Sequence, residues 1–372
     1  MTRAPHEGTV GPEAPSRVPA VSRAVAVLSE IAVHGPASLA NLGRRLGLPK
    51  SSLLGICQTL VEERLLVQDP QGRYVLGLAV AELAAAQLRH PPKLARLGVA
   101  VPNTSNPFYV VELRALAEAS AEIGAEIVAL DSGQDIDVQI GQIGELVNMR
   151  VDAIVLDAVH STKVAGAVRL ARSADIPVIA VNVGAEGADV SVTTDNVQAG
   201  QLVGHHLAGL LGGRGEVAIV DGEPVTATAD RVAGFMSALR EHPGVNVVAR
   251  ERGDHSPQTG RSIARRMLAQ HPRVAGFFGI NDPTSTGIIE ALGERGISVP
   301  VVSVDGSAAA ASAIAAGGSL KASAAQDPAQ LAHLAFRLAA QLRAGERLVT
   351  QTRLLPTRLV TEANVADYQP WG

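Results

Sequence analysis

From Leu97 onward the chain alternates short apolar runs with amphipathic helical patterns, and this alternation narrows the possible folds more than any other feature. The runs are Leu97 to Val101, Glu126 to Leu130, Ala153 to Leu156, Pro177 to Val181, Val217 to Val220, Val245 to Ala249, Ala275 to Ile280, Val301 to Val304 and Leu320 to Ala324. A strand that returns through a helix comes back parallel to its predecessor, so the pattern predicts an α/β protein with parallel sheets built from βαβ units. The strands are too many for one sheet. Two similar lobes with a cleft between them accommodate them, with a ligand held at the strand ends of both.

Polar residues recur at those strand ends. Pro102 to Tyr109 reads Pro-Asn-Thr-Ser-Asn-Pro-Phe-Tyr and lies where the first strand ends and a helical pattern from Val110 to Ile123 begins. Short polar side chains beside helix-terminal N–H groups, together with the flat faces of Phe108 and Tyr109, suit a polyhydroxyl ligand. The same stretch also serves as a capped turn over buried aromatics. Further along, Asp131, Asp157 and Asn182 follow strands, Arg231 lies beyond the Asp221-Gly222 turn, and Asn281-Asp282, Asp305-Gly306 and Gln326 follow later strands. A lone carboxylate after a strand is more often a helix cap than a ligand group, but recurrence along the chain favours a site that recognises several hydroxyls at once.

The segment before Leu97 has a different logic. Ala24, Val25, Leu28, Ile31 and Ala32 recur at helical spacing until Gly35-Pro36 stops them. Ser38 caps a second helix that Gly47 closes, and Pro49 opens a third with an apolar stripe of Leu53, Ile56, Leu60 and Val61. Two helices joined by so short a turn make a helix-turn-helix, whose later helix offers its amino-terminal residues to the major groove. Leu65 to Gln68 and Arg73 to Leu76, joined by Asp69-Pro70-Gln71-Gly72, form a hairpin wing. The whole chain carries a net charge of -4, so affinity for nucleic acid must be local. Arg44, Arg45, Lys50, Ser51, Ser52 and Arg73 are best placed to meet phosphates. Gly55 sits inside the proposed reading helix, where glycine costs about 1 kcal/mol relative to alanine. A winged helix also serves elsewhere as a protein-interaction module.

Two family resemblances emerge from these motifs. The run Ala-Ser-Leu-Ala-Asn-Leu-Gly-Arg-Arg-Leu-Gly-Leu-Pro-Lys-Ser-Ser from Ala37 to Ser52, with the later Asp-Pro-Gln-Gly-Arg-Tyr-Val-Leu-Gly, resembles the winged helix of IclR-type transcription regulators. Beyond Leu97, Ser105-Asn-Pro-Phe-Tyr109, Thr194-Asp195-Asn196, Arg231-Val-Ala-Gly-Phe235, Gly279-Ile-Asn-Asp282 and Val304-Asp305-Gly306 resemble the type I periplasmic binding protein fold. The likeness is to ribose-binding-like receptors and the effector domains of lac-repressor-type regulators. It implies hydrogen bonding by Asn106, Arg231, Asn281, Asp305 and Gln326, and stacking by Phe108 or Tyr109. Two positions depart from the pentose and hexose pattern: Asn182-Val183 stands where Asp-Arg is common, and His255 where an aromatic is common. Both belong to the expected ligand set, and the departures imply a ligand with fewer hydroxyls on that side, or a modified sugar or cyclitol.

The expected organisation is a disordered tail over residues 1–19, a winged helix-turn-helix over 20–80, a linker helix and joint over 81–96, and a two-lobed effector domain over 97–372. Leu78 to Leu88, rich in Ala and Leu, is expected to pair with its copy in a homodimer, ended by His90-Pro91-Pro92. No apolar run approaches the ~20 residues of a membrane span, and the first residues lack the apolar stretch of a signal peptide, so a cytoplasmic protein is expected. Cys57, the single cysteine, reads as packing. No cofactor or metal is expected. An enzyme is the least supported class: Gly212-Gly213-Arg214-Gly215 precedes a strand instead of following one, and His205-His206 point to different helix faces. The expected function is a DNA-binding regulator that responds to a small sugar-like effector. The alternatives are a solute-binding protein, or an interaction module joined to a domain that has lost its ligand. Trp371 receives no role from the sequence.

Overall fold

A computed structural model describes residues 18–89, 93–348 and 350–371, and the chain divides into two compact units, before and after residue 91. Most of the expected tail, and the His90-Pro91-Pro92 stop, lie outside the described residues.

The first unit runs α1 (Pro19–His34), α2 (Leu39–Leu46), α3 (Lys50–Glu62), β1 (Leu66–Gln68), β2 (Tyr74–Leu76) and α4 (Leu78–Arg89). Its boundaries follow from local chemistry. The Ser38 hydroxyl accepts from the Asn41 N–H at 3.3 Å to open α2, and Gly47, at φ 63°, closes it. Pro49 is the cap of α3 and not its first residue. In the wing, Asp69 Oδ1 accepts from the N–H groups of Gln71 and Arg73, fixing the turn between antiparallel β1 and β2. Tyr74 exchanges two backbone hydrogen bonds with Ala37, so the wing is tied to the turn before α2. Val27, Ile31, Leu42, Leu53, Cys57, Leu60, Leu66 and Tyr74 form its core. Burial pushes the Cys57 thiol up to about 11, which leaves it unreactive at neutral pH.

The second unit is two lobes. One starts β3 (Arg96–Val101), α5 (Pro107–Ile123), β4 (Glu126–Asp131), α6 (Ile136–Asn148), β5 (Ala153–Leu156), α7 (Ala165–Ser173), β6 (Val178–Val181), β7 (Val190–Thr194). The chain then crosses to α8 (Asn196–Leu210), β8 (Arg214–Asp221), α9 (Thr226–Arg240), β9 (Gly244–Arg252), α10 (Pro257–Gln270), β10 (Val274–Gly279), α11 (Asp282–Glu294), β11 (Val301–Asp305), α12 (Ala308–Ala315) and β12 (Leu320–Ala325). It returns for α13 (Pro328–Arg343) and β13 (Thr352–Leu355), and crosses again for β14 (Arg358–Thr361). Each sheet has six strands, ordered β13-β7-β6-β5-β3-β4 and β14-β12-β11-β10-β8-β9. All pairings are parallel except β12 with β14, an antiparallel edge that the repeating pattern does not announce.

Burial on both faces of each sheet explains the unbroken apolar runs. In β3, Leu97, Val99 and Val101 face the side covered by α5 and α13, while Ala100 faces the side of α6 and α7. In the other lobe Phe278 stacks on Phe235 of α9 with ring centroids 4.6 Å apart, and the adjacent Phe277 packs on the opposite face. The crossovers are stitched together: Asp195 N–H donates to Leu355 O at 2.8 Å, and Thr357 receives no slack, its N–H donating to Gln198 Oε1 and its hydroxyl to Ala325 O.

Helices α8 and α9 approach until their backbones touch. A Cβ on Gly200 would overlap the Arg231 carbonyl, and one on Gly234 would overlap that of Val197. Gly234→Ala is therefore expected to destabilise the unit by about 1–3 kcal/mol or more, read as a lower urea midpoint.

Candidate ligand cavity and nucleic-acid interface

A cavity of about 750 Å³ opens between the strand ends of the two sheets, within the range of small-molecule sites. All nine residues expected at the ligand site line it. Asn106, Phe108 and Tyr109 come from the start of α5, and Asn182 follows β6. Across the cavity stand Arg231 of α9, His255 before α10, Asn281 before α11 and Asp305 at the end of β11, with Gln326 on a crossover. Asp131 is not among them: it is exposed and receives hydrogen bonds from Thr104 and Gly133, a turn staple. Asp157 is fully buried behind the wall. Asp282 lines the cavity, yet its carboxylate is engaged by Ser307 N–H and hydroxyl and by the Ser323 hydroxyl, each at 2.8 Å.

Two of the helix caps also line the cavity. Asn106 Oδ1 accepts from Phe108 N–H at 3.0 Å and Asn281 Oδ1 from Thr284 N–H at 3.0 Å, each capping a helix. With the oxygens spent on the caps, both keep Nδ2 as a donor, and in Asn281 one of its hydrogens is directed to His255 O at 3.5 Å. Two other amides are turned the opposite way. Asn182 Nδ2 donates to Asp157 Oδ2 at 2.9 Å and Gln326 Nε2 to Asp305 Oδ1 at 2.8 Å, so their oxygens are buried acceptors without a partner among the described residues. The cavity lining as a whole combines amides, a guanidinium and carboxyl groups, a mixture of donors and acceptors that suits a ligand able to do both, as a hydroxyl does.

Arg231 anchors the polar wall. Its Nε donates to Asn196 Oδ1 at 2.8 Å, its Nη1 donates to Ile280 O at 2.9 Å, and Nη1 lies 3.5 Å from Asp305 Oδ1. Burial lifts Asp305 to about 7, against the pull of Arg231 and with the help of Asp282. His255 is held down to about 4, by burial first and by Arg231 second, so it is neutral at physiological pH. It is half-buried, with Nε2 3.3 Å from the Thr228 hydroxyl. Left-handed backbone collects at this cavity: Gln134 (φ 68°), Asn182 (φ 58°), His255 (φ 68°) and Asp305 (φ 135°) all line it. Strain of this kind is retained where it aims a side chain.

Behind Asn182 lies an arrangement the sequence does not reveal. Glu112 of α5 is fully buried, and among the described residues neither its carboxylate oxygens nor Asp157 Oδ1 has a hydrogen-bond partner. Burial, and for Glu112 the neighbouring Asp157, hold both carboxyls well above the usual range. Folded-state values above unfolded ones mean that this stability is complete at low pH and is lost as pH rises through the folded values. Glu112→Gln removes the loss, so its melting temperature should exceed that of the wild type at pH 8, with a smaller gap at pH 5, in a pH series of thermal melts.

In the first unit, α3 exposes Lys50, Ser51, Leu54, Gly55, Gln58 and Thr59. Lys50 and Ser51 make no side-chain hydrogen bond or ion pair to other described residues, whereas the remaining expected contacts are engaged locally. Arg44 donates to Asn41, Arg45 pairs with Glu30 at 2.9 Å, Arg73 pairs with Asp69 at 2.7 Å, and Ser52 accepts from Arg23 at 3.2 Å. The six occupy the end of α2, the start of α3 and the wing. Gln58 was absent from the expected set, although its spacing of seven from Ser51 places it on the same helix face. A Cβ on Gly55 would meet nothing within 4 Å, so packing inside the protein does not require glycine there.

Comparison with known proteins places both units. Residues 97–347 match the periplasmic binding protein domain family, and residues 20–70 match the IclR helix-turn-helix domain. The chain belongs to the periplasmic binding protein domain family and carries an IclR helix-turn-helix ahead of that domain. Among particular proteins, it is similar to the ribose import binding protein RbsB of Bacillus subtilis strain 168, 27% identical over 302 residues that cover 77% of this chain and 97% of the relative. A xylitol-binding protein of Mycolicibacterium smegmatis is 27% identical over 238 residues, covering 62% of this chain and 67% of the relative. Of solved structures, an ABC transporter solute binding protein from Bacillus halodurans C-125 with bound myo-inositol superimposes with a TM-score of 0.70 at 27% identity, covering 75% of this chain and 98% of that one. Both matched families are binding families. No helix among the described residues is long and apolar enough to cross a membrane.

Proposed function

We propose that this chain is a cytoplasmic transcription regulator in which a sugar or cyclitol, bound between the lobes, changes the affinity of the winged helix for an operator. The observation that carries the reading is the joining, in one chain, of an IclR helix-turn-helix to a periplasmic-binding-protein cavity lined by amides, a guanidinium and carboxyl groups. The ligands named for the relatives, ribose, xylitol and myo-inositol, support a small polyol as the effector class. The ligand set is Asn106, Phe108, Tyr109, Asn182, Arg231, His255, Asn281, Asp305 and Gln326, with no catalytic role for any of them. A ligand that touches both lobes biases their closure, and coupling of ~1–3 kcal/mol to the DNA-reading unit makes a useful switch. Leu78 and Leu83 of α4, 62% and 65% exposed, are the apolar groups through which we expect two copies to pair and read two half-sites.

Arg44, Arg45, Lys50, Ser51, Ser52 and Arg73 are assigned to DNA, with Gln58 added as a base-edge reader. Binding to the protein's own upstream DNA should weaken with salt, and Lys50→Ala should reduce the slope of log affinity against log salt by about one. Gly55→Ala separates stability from reading: it should stabilise α3 by up to about 1 kcal/mol while weakening operator binding, because the added methyl group stands on the groove-facing surface. Salt-independent binding, or variants indistinguishable from wild type in a gel-shift titration, would refute the DNA assignment.

For the cavity, a polyol at 100 times its Kd should stabilise the protein by about 2.7 kcal/mol. Asp305→Asn is the informative variant, since it keeps the side-chain volume and an oxygen that can accept from Arg231 and Gln326, whereas Ala would remove both and leave those donors facing a hole. The expected outcome is a folded protein whose thermal shift with myo-inositol, D-ribose and xylitol is lost. An undiminished shift would reject the assignment.

A further inference from the structure

We infer that Trp371 is a wall of the ligand cavity and a latch between its lobes, recognising the apolar ring face of the effector; the ligand part of this inference rests on the polyol reading above. The sequence has five Phe, three Tyr and one Trp, and the cavity gathers Phe108, Tyr109 and that single Trp. Phe108 meets Tyr109 edge to face at 5.6 Å and 81°, and meets Trp371 in the same manner at 5.6 Å and 89°. The three rings thus form a connected aromatic corner that adjoins Asp305.

Trp371 is held by one lobe and touches the other. After β14, Thr361 N–H donates to Asn364 Oδ1 at 2.8 Å, a short 3-10 turn follows at Val365–Asp367, and Val365 and Tyr368 pack against the core of the β8 to β12 lobe. The Tyr368 hydroxyl donates to Gly306 O at 2.6 Å, where a Cβ would crowd that hydroxyl and Ala325. Trp371 then forms a parallel bridge with Ser307, its carbonyl accepting from Ala308 N–H at 3.1 Å, and its indole Nε1 donates to Asp305 O at 3.0 Å. Every polar bond in this seat is to the lobe that carries Asp305. The ring itself packs against Phe108 and the hydrophobic cluster of the other lobe. Opening the lobes must therefore part Trp371 from Phe108, and a ligand that fills the corner holds them together. Since Asp305 supplies the carbonyl to the indole and the carboxylate to Arg231 and Gln326, the stacking wall and the polar wall share one residue.

A sole tryptophan makes the inference directly readable. In ligand-free protein, acrylamide should quench its fluorescence several-fold less than that of free N-acetyltryptophanamide; equal quenching would overturn the seat whether or not any polyol binds. Titration with myo-inositol, D-ribose and xylitol should change Trp371 emission saturably, with the same Kd that calorimetry gives. Trp371→Ala should raise that Kd about tenfold, while Trp371→Phe, which keeps an aromatic face, should stay within about threefold of wild type. A probe that binds by calorimetry without altering emission, or with equal affinity to Trp371→Ala, overturns the ligand role even though the polyol reading survives. Failure of all three probes to bind wild type rejects the polyol class for both, leaving the quenching result to decide the latch.

Discussion

Arg231 reaches the cavity because two helices are in backbone contact. Gly200 and Gly234 let α8 and α9 close to a separation that no side chain would permit, and the guanidinium of α9 is thereby delivered to Asn196, Ile280 O and Asp305. A buried cation must be met by fixed acceptors, and this one is met by three. Asp305, in turn, accepts from Gln326 Nε2 and so orients another residue of the cavity lining. The polar wall is thus the end of a chain of geometric consequences that begins with the absence of two methyl groups.

Much of this architecture was legible because each strand buried on both faces reads as an apolar run and each helix carries its own stop signals. Ser38, Gly47 and the Asp69 turn marked their elements for local reasons. Val190–Thr194 was missed because it reads Val-Ser-Val-Thr-Thr, with alternate residues only half-buried. The strands Thr352–Leu355 and Arg358–Thr361 were missed because they are short edge strands with exposed positions, and their pairing partners lie far back in the chain. Eight of the nine cavity residues stand near strand ends or helix starts, where topology brings side chains together, whereas Arg231 lies inside α9 and was gathered by the family resemblance. Trp371 had no such address: its seat depends on contacts with Phe108 and Asp305 that no local pattern encodes.

Glu112 shows the limit from the other side. One carboxylate in an amphipathic helix reads as a solvated face, yet this one is enclosed beside Asp157, and burial raises the pKa of both carboxyls. Asn182 connects that enclosed pair to the cavity through its Nδ2, in the place where the resemblance to sugar receptors led one to expect a carboxylate and a guanidinium. The lost fixed charge at the wall is accompanied by protonatable groups behind it.

The first lobe is closed by α13 and β13, segments that come after the whole of its companion. During translation, β7 therefore waits with an unpaired edge, and the face of β3, β5 and β6 later covered by α13 stays open, until residue 355 has left the ribosome. The winged helix, complete by residue 76, can mature on the nascent chain well before this, so for much of synthesis a finished small unit would precede an unfinished two-lobed one.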